Sequence, residues 1–301
     1  MAYLGSAFRG AAENPGVRTV VGELRAAISR VVGHDVEITL AGRTDAGVHA
    51  TGQVITLDLP EVIDLDDLVH RVNRMCAPDI SLREPARVDL RFDARFSATS
   101  RRYRYSIHNA PSADPLTAGL RWHVPVTLDI PSMREAADTL LGEHDFSSFC
   151  RRPDGDVSVS LVRRILDITI RRDEAGGDEA DGDLVTVEVT GTAFCHQMVR
   201  SIVGTLVDVG RGRFGASDVP GMLAARDRAA AGQVAPPHGL TLIEVGYDGE
   251  RWDGSRARAT RWGTGRDARI LSELRDRPRT MRPARNDWTS NAHEDLHPEG
   301  K

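Results

Sequence analysis

The sequence predicts an α+β fold built from two similar subdomains. Segments with apolar residues at helical spacing are interspersed with segments that alternate apolar and polar residues, the pattern of half-buried strands. The second half of the chain then repeats the element types of the first. We therefore expect one α+β subdomain over residues 1–100, a second over 101–249, and a different kind of segment over 250–301.

The first half contains two predicted helices and several strands. Apolar residues over Val20–Val32 recur at i, i+3, i+4 and i+7, which indicates an amphipathic helix, and a second helix is expected over Leu65–Met75. The alternating or extended segments of this half predict strands over 36–41, 54–60, 80–90 and 101–107.

The second half shows the same two kinds of pattern. Helices are expected over 131–141 and 196–209. Strands are expected over 162–170, 184–190 and 241–247. Residues 173–183 hold six acidic residues and no basic one, so this segment is expected to be an exposed hairpin loop between two strands.

Charge and composition exclude some classes of protein. The 301 residues carry 39 Lys+Arg against 44 Asp+Glu, which excludes a uniformly basic nucleic-acid binder but allows a protein with local basic patches. No apolar stretch is long enough for a membrane span and the start of the chain lacks signal-peptide features, so we expect a cytoplasmic protein. Cys76, Cys150 and Cys195 are far apart in sequence and are expected as reduced thiols.

The segment from residue 250 to 301 differs in composition from the rest. It mixes arginine with Asp, Gly, Pro and Ser and has few aliphatic residues, so it cannot bury enough apolar surface to offset the entropy of ordering. We expect a largely disordered, arginine-rich tail with at most a short helix near 268–275.

Residues 42–53, Gly-Arg-Thr-Asp-Ala-Gly-Val-His-Ala-Thr-Gly-Gln, form the most unusual segment of the chain. Two strands that need only a short turn are joined here by a loop that holds three glycines and several charged or polar side chains, among them Asp45. Glycines permit backbone conformations and close ligand approach that side chains forbid. Either Asp45 is a functional carboxylate, or it accepts backbone N–H bonds in an Asx-type turn.

The loop sequence resembles the catalytic loop of the tRNA pseudouridine synthase A family. Three further segments resemble that family in the same order: 94–105 its tyrosine strand, 142–149 the turn after its helix, and 194–204 its arginine helix. The resemblance covers about residues 3–247. It implies the pseudouridine synthase fold, with two subdomains that form a central catalytic cleft.

The resemblance also implies an activity and roles for residues. The activity is isomerisation of uridine to pseudouridine on the 3′ side of the tRNA anticodon stem-loop, without a cofactor or metal, by a homodimer whose RNA spans both subunits. Asp45 would be the catalytic nucleophile, Arg200 its ion-pair partner, and Tyr103 the aromatic that contacts the base. Residues expected to bind substrate are Arg43, His49, Gln53, Arg101 and Tyr103.

Physical reasoning agrees with the pairing of Asp45 and Arg200. An adjacent guanidinium would keep the carboxylate charged and oriented beside the ribose. The two residues are far apart in sequence, so this pairing requires the two halves of the chain to face each other across a cleft. Attack at C1′ and proton removal at C2′ both remain open as the role of Asp45.

Other interpretations remain for several residues. Tyr103 is expected either to stack on a base or to form a cross-strand aromatic pair, and Tyr105 to lie in the core. His49 and His196 lack further ligands at metal-binding spacing, so hydrogen-bonding structural histidines are the alternative to functional ones. Residues 83–104 hold seven arginines and three acids, which suits phosphate contacts or a solvated charged face.

The opening segment departs from the family pattern. The family usually has Asp and Trp-Gln where this chain has Leu4 and Ala11-Ala12. We expect these changes to weaken an RNA-facing loop or the first sheet edge. They motivate the alternative of a tRNA-binding or RNA-folding protein with reduced catalysis, while a metal-dependent hydrolase is suggested only by the acid-rich loops.

Overall fold

A ten-stranded, mainly antiparallel sheet organises the molecule, and helices cover its apolar face. The computed structural model describes residues 1–152, 159–173 and 184–247, together with the backbone of 250–252. The sheet order is β5-β1-β3-β11-β6-β10-β9-β8, with β7 beside β6 and β12 beside β11, and a separate pair β2-β4. The strands are β1 (Ala2–Tyr3), β2 (Thr39–Leu40), β3 (His49–Ala50), β4 (Ile55–Thr56), β5 (Ile80–Ser81), β6 (Ala98–His108), β7 (Trp122–His123), β8 (Gly142–Asp145), β9 (Val162–Arg172), β10 (Leu184–Gly191), β11 (Leu240–Tyr247) and β12 (Glu250–Trp252).

Five α-helices accompany these strands within the described part of the chain. They are α1 (Val20–Val32), α2 (Leu65–Cys76), α3 (Ile130–Asp138), α4 (Met198–Gly210) and α5 (Val219–Ala225). Helix α1 contacts α2, and α3 contacts both α4 and β9. Among the described helices, none is long and apolar enough to cross a membrane.

The predicted α+β class with a mixed, mainly antiparallel sheet is confirmed. Among the described strands, β3 with β11 and β6 with β7 pair in parallel, and the other pairs are antiparallel. The bounds of α1 agree with the prediction because local signals define both ends: the Thr19 side chain accepts a hydrogen bond from the Gly22 N–H, and Gly33 ends the helix with φ of +83°.

Strand lengths agree less well, because tertiary pairing decides where a strand begins and ends. The segments predicted as strands over 36–41, 54–60 and 80–90 contain strands of two residues each. The segment over 42–53, predicted as one loop, contains strand β3. Because β3 pairs with β1 and β11, this part of the loop belongs to the main sheet.

The long central strands position the functional residues. Strand β6 lies between β11 and β10, and its side chains alternate as predicted, with Tyr103 and Tyr105 in the core. Because β3 pairs with β11, one sheet joins the two predicted subdomains, whose division at residue 100 stays a prediction. The predicted acidic loop, from residue 174 to 183, and the predicted tail beyond residue 252 with its short helix lie outside the described residues. The first residues of the tail, Glu250–Trp252, form a strand that pairs with β11.

Candidate active site

Asp45 and Arg200 form an ion pair between the two halves of the chain. The Arg200 Nη1 donates to Asp45 Oδ2 at 3.0 Å across 155 positions of sequence. The Asp45 side chain is 23% exposed and that of Arg200 is 13% exposed. The carboxylate is therefore partly desolvated and partly accessible to a ligand.

The backbone of the neighbouring segment holds Arg200 in place. Its Nε donates to the Ala235 carbonyl at 2.7 Å, and the Ala235 N–H donates back to the Arg200 carbonyl at 3.1 Å. The Tyr105 hydroxyl donates to the Pro236 carbonyl at 2.7 Å, which fixes that same segment against β6. With its backbone and its Nε both bonded to Ala235, Arg200 presents Nη1 to Asp45 in one orientation.

His196 lies on the other side of the Asp45 carboxylate. Its Nε2 is 3.5 Å from Asp45 Oδ1, and its side chain is 49% exposed. Among the described residues, the Asp45 carboxylate contacts these two side chains and accepts no backbone N–H within hydrogen-bond distance. The Asx-turn interpretation of Asp45 is therefore not the one that the structure adopts.

The base of the loop is fixed by Gln53. Its Nε2 donates to the Gly42 carbonyl at 2.7 Å, and its Oε1 accepts from the Gly42 N–H at 3.3 Å. Only 1% of Gln53 is exposed. The side chain expected to bind substrate thus bonds the first residue of its own loop.

His49 makes a second internal connection. Its Nδ1 accepts from the Gly5 N–H at 3.0 Å and its Nε2 donates to the His238 carbonyl at 3.0 Å, an assignment that requires the neutral Nε2–H tautomer. Burial lowers the pKa of this imidazole. Because both ring nitrogens bond the protein, His49 has the geometry of the structural histidine considered above.

Two glycines of the loop are required by its path. Gly47 has φ of +80°, a conformation that side chains disfavour. A β-carbon on Gly52 would lie 2.1 Å from the Ile243 carbonyl oxygen, so any other residue would push the loop away from β11.

Arg101 connects the loop to two other segments. Its guanidinium donates five hydrogen bonds to four carbonyls, and thereby uses every N–H that it has. The acceptors are the carbonyls of Ala41, Arg95, Ala98 and Thr192, at 2.8–3.3 Å. Burial lowers the pKa of the guanidinium. Ala41 leads into the loop and Thr192 leads toward α4, so Arg101 joins the segments that carry Asp45 and Arg200.

Tyr103 lies beneath the loop. It is 7% exposed, its ring meets Phe194 edge to face with centroids 5.3 Å apart, and its hydroxyl is 3.6 Å from the place a β-carbon on Gly42 would take. Burial raises the pKa of the phenol. With its ring against Phe194, Tyr103 has its hydroxyl edge, and not an open ring face, directed toward the loop.

Two arginines of the predicted basic cluster over 83–104 differ in their partners from Arg43 of the loop. On the outer face of β6, Arg102 pairs with Glu244 and Arg104 pairs with Glu188. Arg43, by contrast, is exposed and makes no hydrogen bond or ion pair within the described part of the chain. Outer-face arginines of β6 thus have carboxylate partners, whereas Arg43 at the rim of the site has its donors available.

Sequence reasoning missed the residues that support the loop from elsewhere. The Tyr3 hydroxyl bonds Thr44 Oγ1 at 2.8 Å, and the Ala11 N–H donates to the Thr44 carbonyl at 3.1 Å. The His238 and Ala235 carbonyls are backbone groups, for which side-chain patterns give no signal. The changed opening segment therefore still bonds the loop, through Tyr3 and through backbone groups that do not depend on the side chains at 4, 11 and 12.

Comparison with known proteins gives one consistent result. The family described as tRNA pseudouridine synthase matches residues 1–97 and 136–248. The chain is 43% identical over 265 residues to tRNA pseudouridine synthase A of Frankia casuarinae, covering 87% of this chain and 92% of that protein. It is 41% identical to the protein of the same name from Brevibacillus brevis, covering 82% of this chain and 97% of that protein. It is also 41% identical to the one from Cutibacterium acnes, covering 87% of this chain and 92% of that protein.

Proposed function

Because the chain belongs to the tRNA pseudouridine synthase family, we propose that it isomerises uridine to pseudouridine in the anticodon stem-loop of tRNA, with Asp45 as the catalytic residue. The observation that supports this most directly is the pairing of Asp45 with Arg200 at 3.0 Å. A partly exposed carboxylate held by a fixed guanidinium suits chemistry at a ribose carbon. The reaction has no net redox change, so we propose no cofactor.

The reaction breaks one bond and forms another. The N1–C1′ glycosidic bond of uridine breaks, the uracil turns while still bound, and its C5 bonds to C1′. The hydrogen on C5 leaves as a proton and N1 takes up a proton, so the product is an isomer of the substrate. Asp45 either attacks C1′ and is later displaced by C5, or removes the C2′ proton and later returns it. Both routes require an ionised carboxylate, which the Arg200 guanidinium stabilises.

The surrounding residues divide between substrate contact and support. The target uridine must leave its stack to reach a carboxylate, and Arg43 at the rim has exposed donors for the opened RNA backbone. Tyr103 contributes its hydroxyl edge to the floor under the base. We assign His49, Gln53 and Arg101 to support of the loop, because their polar atoms bond protein groups.

The alternative of a tRNA-binding protein with reduced catalysis rested on the changed opening segment. That segment retains Tyr3 on Thr44 and the Ala11 N–H on the Thr44 carbonyl, so support of the residue next to Asp45 is intact. We therefore favour the enzyme. We further propose that it acts in the cytoplasm as a homodimer, and light scattering that finds only monomer would contradict the dimer.

The test is a tritium-release assay. Unmodified tRNA carrying tritium at uridine C5 loses that tritium to water when C5 bonds C1′. The wild-type protein is expected to release it, and Asp45→Asn is expected to abolish release while still binding tRNA. Asp79→Asn is the matched control, because Asp79 also pairs with an arginine, Arg18 at 2.8 Å, and is 21% exposed. A wild-type protein that releases no tritium, or an Asp45→Asn variant that releases it at the wild-type rate, would contradict the proposal.

A further inference from the structure

A cavity lined largely by arginines lies next to the segment that carries His196. It has a volume of about 460 Å³, and its lining includes Arg151, Arg152, Gln197, Arg226 and Arg228. Gln197 follows His196 in the chain, and the Nε2 of His196 is 3.5 Å from Asp45. The cavity, which we name the arginine pocket, therefore shares the segment around 196–197 with the proposed active site.

A backbone contact connects the pocket to that segment: the Arg151 N–H donates to the His196 carbonyl at 3.0 Å. A ligand in the arginine pocket would thus be held at a fixed distance from Asp45.

Arginine is the most frequent residue of the described lining. The lining includes four arginines and one acidic residue, Asp227, whose carboxylate accepts the Ala229 N–H at 3.0 Å. Arg226 Nε lies 3.3 Å from Asp145 Oδ2, yet its side chain is 70% exposed. Within the described residues, no carboxylate lies within 4 Å of the Arg228 guanidinium, which two carbonyls, those of Ala231 and Gly232, hold in place.

Guanidinium groups match the geometry of phosphate oxygens, and several of them around one open cavity suit a phosphodiester better than a neutral ligand. An enzyme that extracts one nucleotide from its stack must also hold the backbone next to it. We propose that the arginine pocket binds the RNA backbone phosphate next to the target uridine. This inference rests on the proposed function, since it takes the RNA that reaches Asp45 as the ligand.

The pocket adds a binding role to a segment that the sequence left without one. The motif over 142–149 leads directly into Cys150, Arg151 and Arg152. Asp145 within this motif accepts bonds from the Ser147 N–H and hydroxyl as well as pairing with Arg226, so it fixes one wall of the pocket.

The experiment measures binding in a catalytically inactive background. Asp45→Asn protein is combined with Arg226→Gln, with Arg151→Gln, or with both, and the Kd for an unmodified anticodon stem-loop RNA is measured over a series of salt concentrations. Arg71→Gln is the matched control, because Arg71 is also an exposed arginine, 57%, with an aspartate at 3.5 Å. Unfolding midpoints establish that the variants are folded.

The double variant is expected to bind RNA about tenfold more weakly, with the slope of log Kd against log salt reduced by roughly 0.7 for each lost phosphate contact. In the active background, KM for tRNA should rise while kcat stays unchanged. If Arg226→Gln and Arg151→Gln match Arg71→Gln in both Kd and salt slope, the proposal is overturned.

Two further outcomes separate the possibilities. Calorimetry with inorganic phosphate tests whether the pocket takes a free anion: variants that lose phosphate binding but keep RNA affinity would overturn the RNA assignment. Because binding is measured without turnover, a wild-type protein that releases no tritium would contradict the proposed function alone. Variants that match the control would contradict the arginine pocket alone.

Discussion

The base of the loop over 42–53 and its rim both have an arginine and a histidine, but these side chains differ in their partners and in their exposure. At the base, the polar nitrogens of Arg101 and His49 are hydrogen-bonded to protein groups, and both side chains are largely removed from solvent. At the rim, Arg43 and His196 are exposed. The comparison indicates a loop that is rigid where it meets the sheet and accessible where RNA must enter, which is how a site is held in its reactive geometry before substrate binds.

The largest expected effect comes from the residue that connects base and rim. Arg200→Lys cannot keep both the Nε bond to the Ala235 carbonyl and the Nη1 bond to Asp45. We expect kcat to fall about 100-fold with little change in KM, a loss typical of removing one preorganised electrostatic contact. Single-turnover kinetics with saturating protein measures it. Arg134→Lys is the control, since the Nε of Arg134 also donates to a backbone carbonyl, that of Ile170.

Arg101→Lys tests the base alone. A lysine has three donors where Arg101 uses five, so at least one of the four carbonyls loses its partner. We expect kcat to fall about tenfold, and the free energy of unfolding to fall by about 1–3 kcal/mol. Denaturant unfolding and kinetics on the same preparation measure both effects. A variant that loses stability but keeps the wild-type kcat would show that Arg101 supports the fold without positioning the loop.

Arg43→Ala tests the rim alone. Removing an exposed side chain that makes no hydrogen bond or ion pair with the described residues should leave the free energy of unfolding within about 0.5 kcal/mol of wild type. KM for tRNA should rise about fivefold at physiological salt, since one phosphate contact is lost. Equal KM values for Arg43→Ala and wild type across a salt series would remove Arg43 from the RNA-binding surface.

The smallest expected effect is a pH dependence of stability from His49. Burial lowers its pKa in the folded protein below the unfolded value of about 6.5. Below that pH the unfolded chain takes up a proton that the folded protein does not, so the free energy of unfolding decreases as pH falls, by at most about 1.4 kcal/mol per pH unit. The contribution of His49 to the free energy of unfolding is fully present at pH values above the pKa of the unfolded chain. His49→Gln should flatten the curve of unfolding free energy between pH 7 and 5, and a curve as steep as that of the wild type would contradict this expectation.

Some elements could be predicted from the sequence because their signals are local. Helix α1 has its amphipathic spacing, its Thr19 cap and its Gly33 terminator within fifteen residues. The pairing of Asp45 with Arg200 was predicted from the family resemblance of two short segments, and the structure has the pair. Strand β3 was missed because a strand of two residues carries no alternation and exists only through its partners β1 and β11.

The roles of the arginines could not be assigned from the sequence. Three arginines of one short segment have different partners. Arg101 donates to four backbone carbonyls, whereas Arg102 and Arg104 each pair with a carboxylate. Apart from the nearby carbonyls of Arg95 and Ala98, their partners come from residues 41, 188, 192 and 244, and nothing near these arginines in the chain identifies those distant partners. The pair Arg151 and Arg152, directly after a recognisable motif, was the one available signal for the arginine pocket.

By itself, the sequence determined the fold class and four of the five described helices, because these depend on side-chain type and short-range spacing. The family resemblance of two short segments identified Asp45 and Arg200 as a pair. Only the tertiary structure decided which polar groups face one another. It assigned Gln53, His49 and Arg101 to bonds within the protein, and left Arg43 exposed. The physical reason is that a side chain binds a ligand only where the fold has not already satisfied its hydrogen bonds, and that depends on contacts between distant parts of the chain.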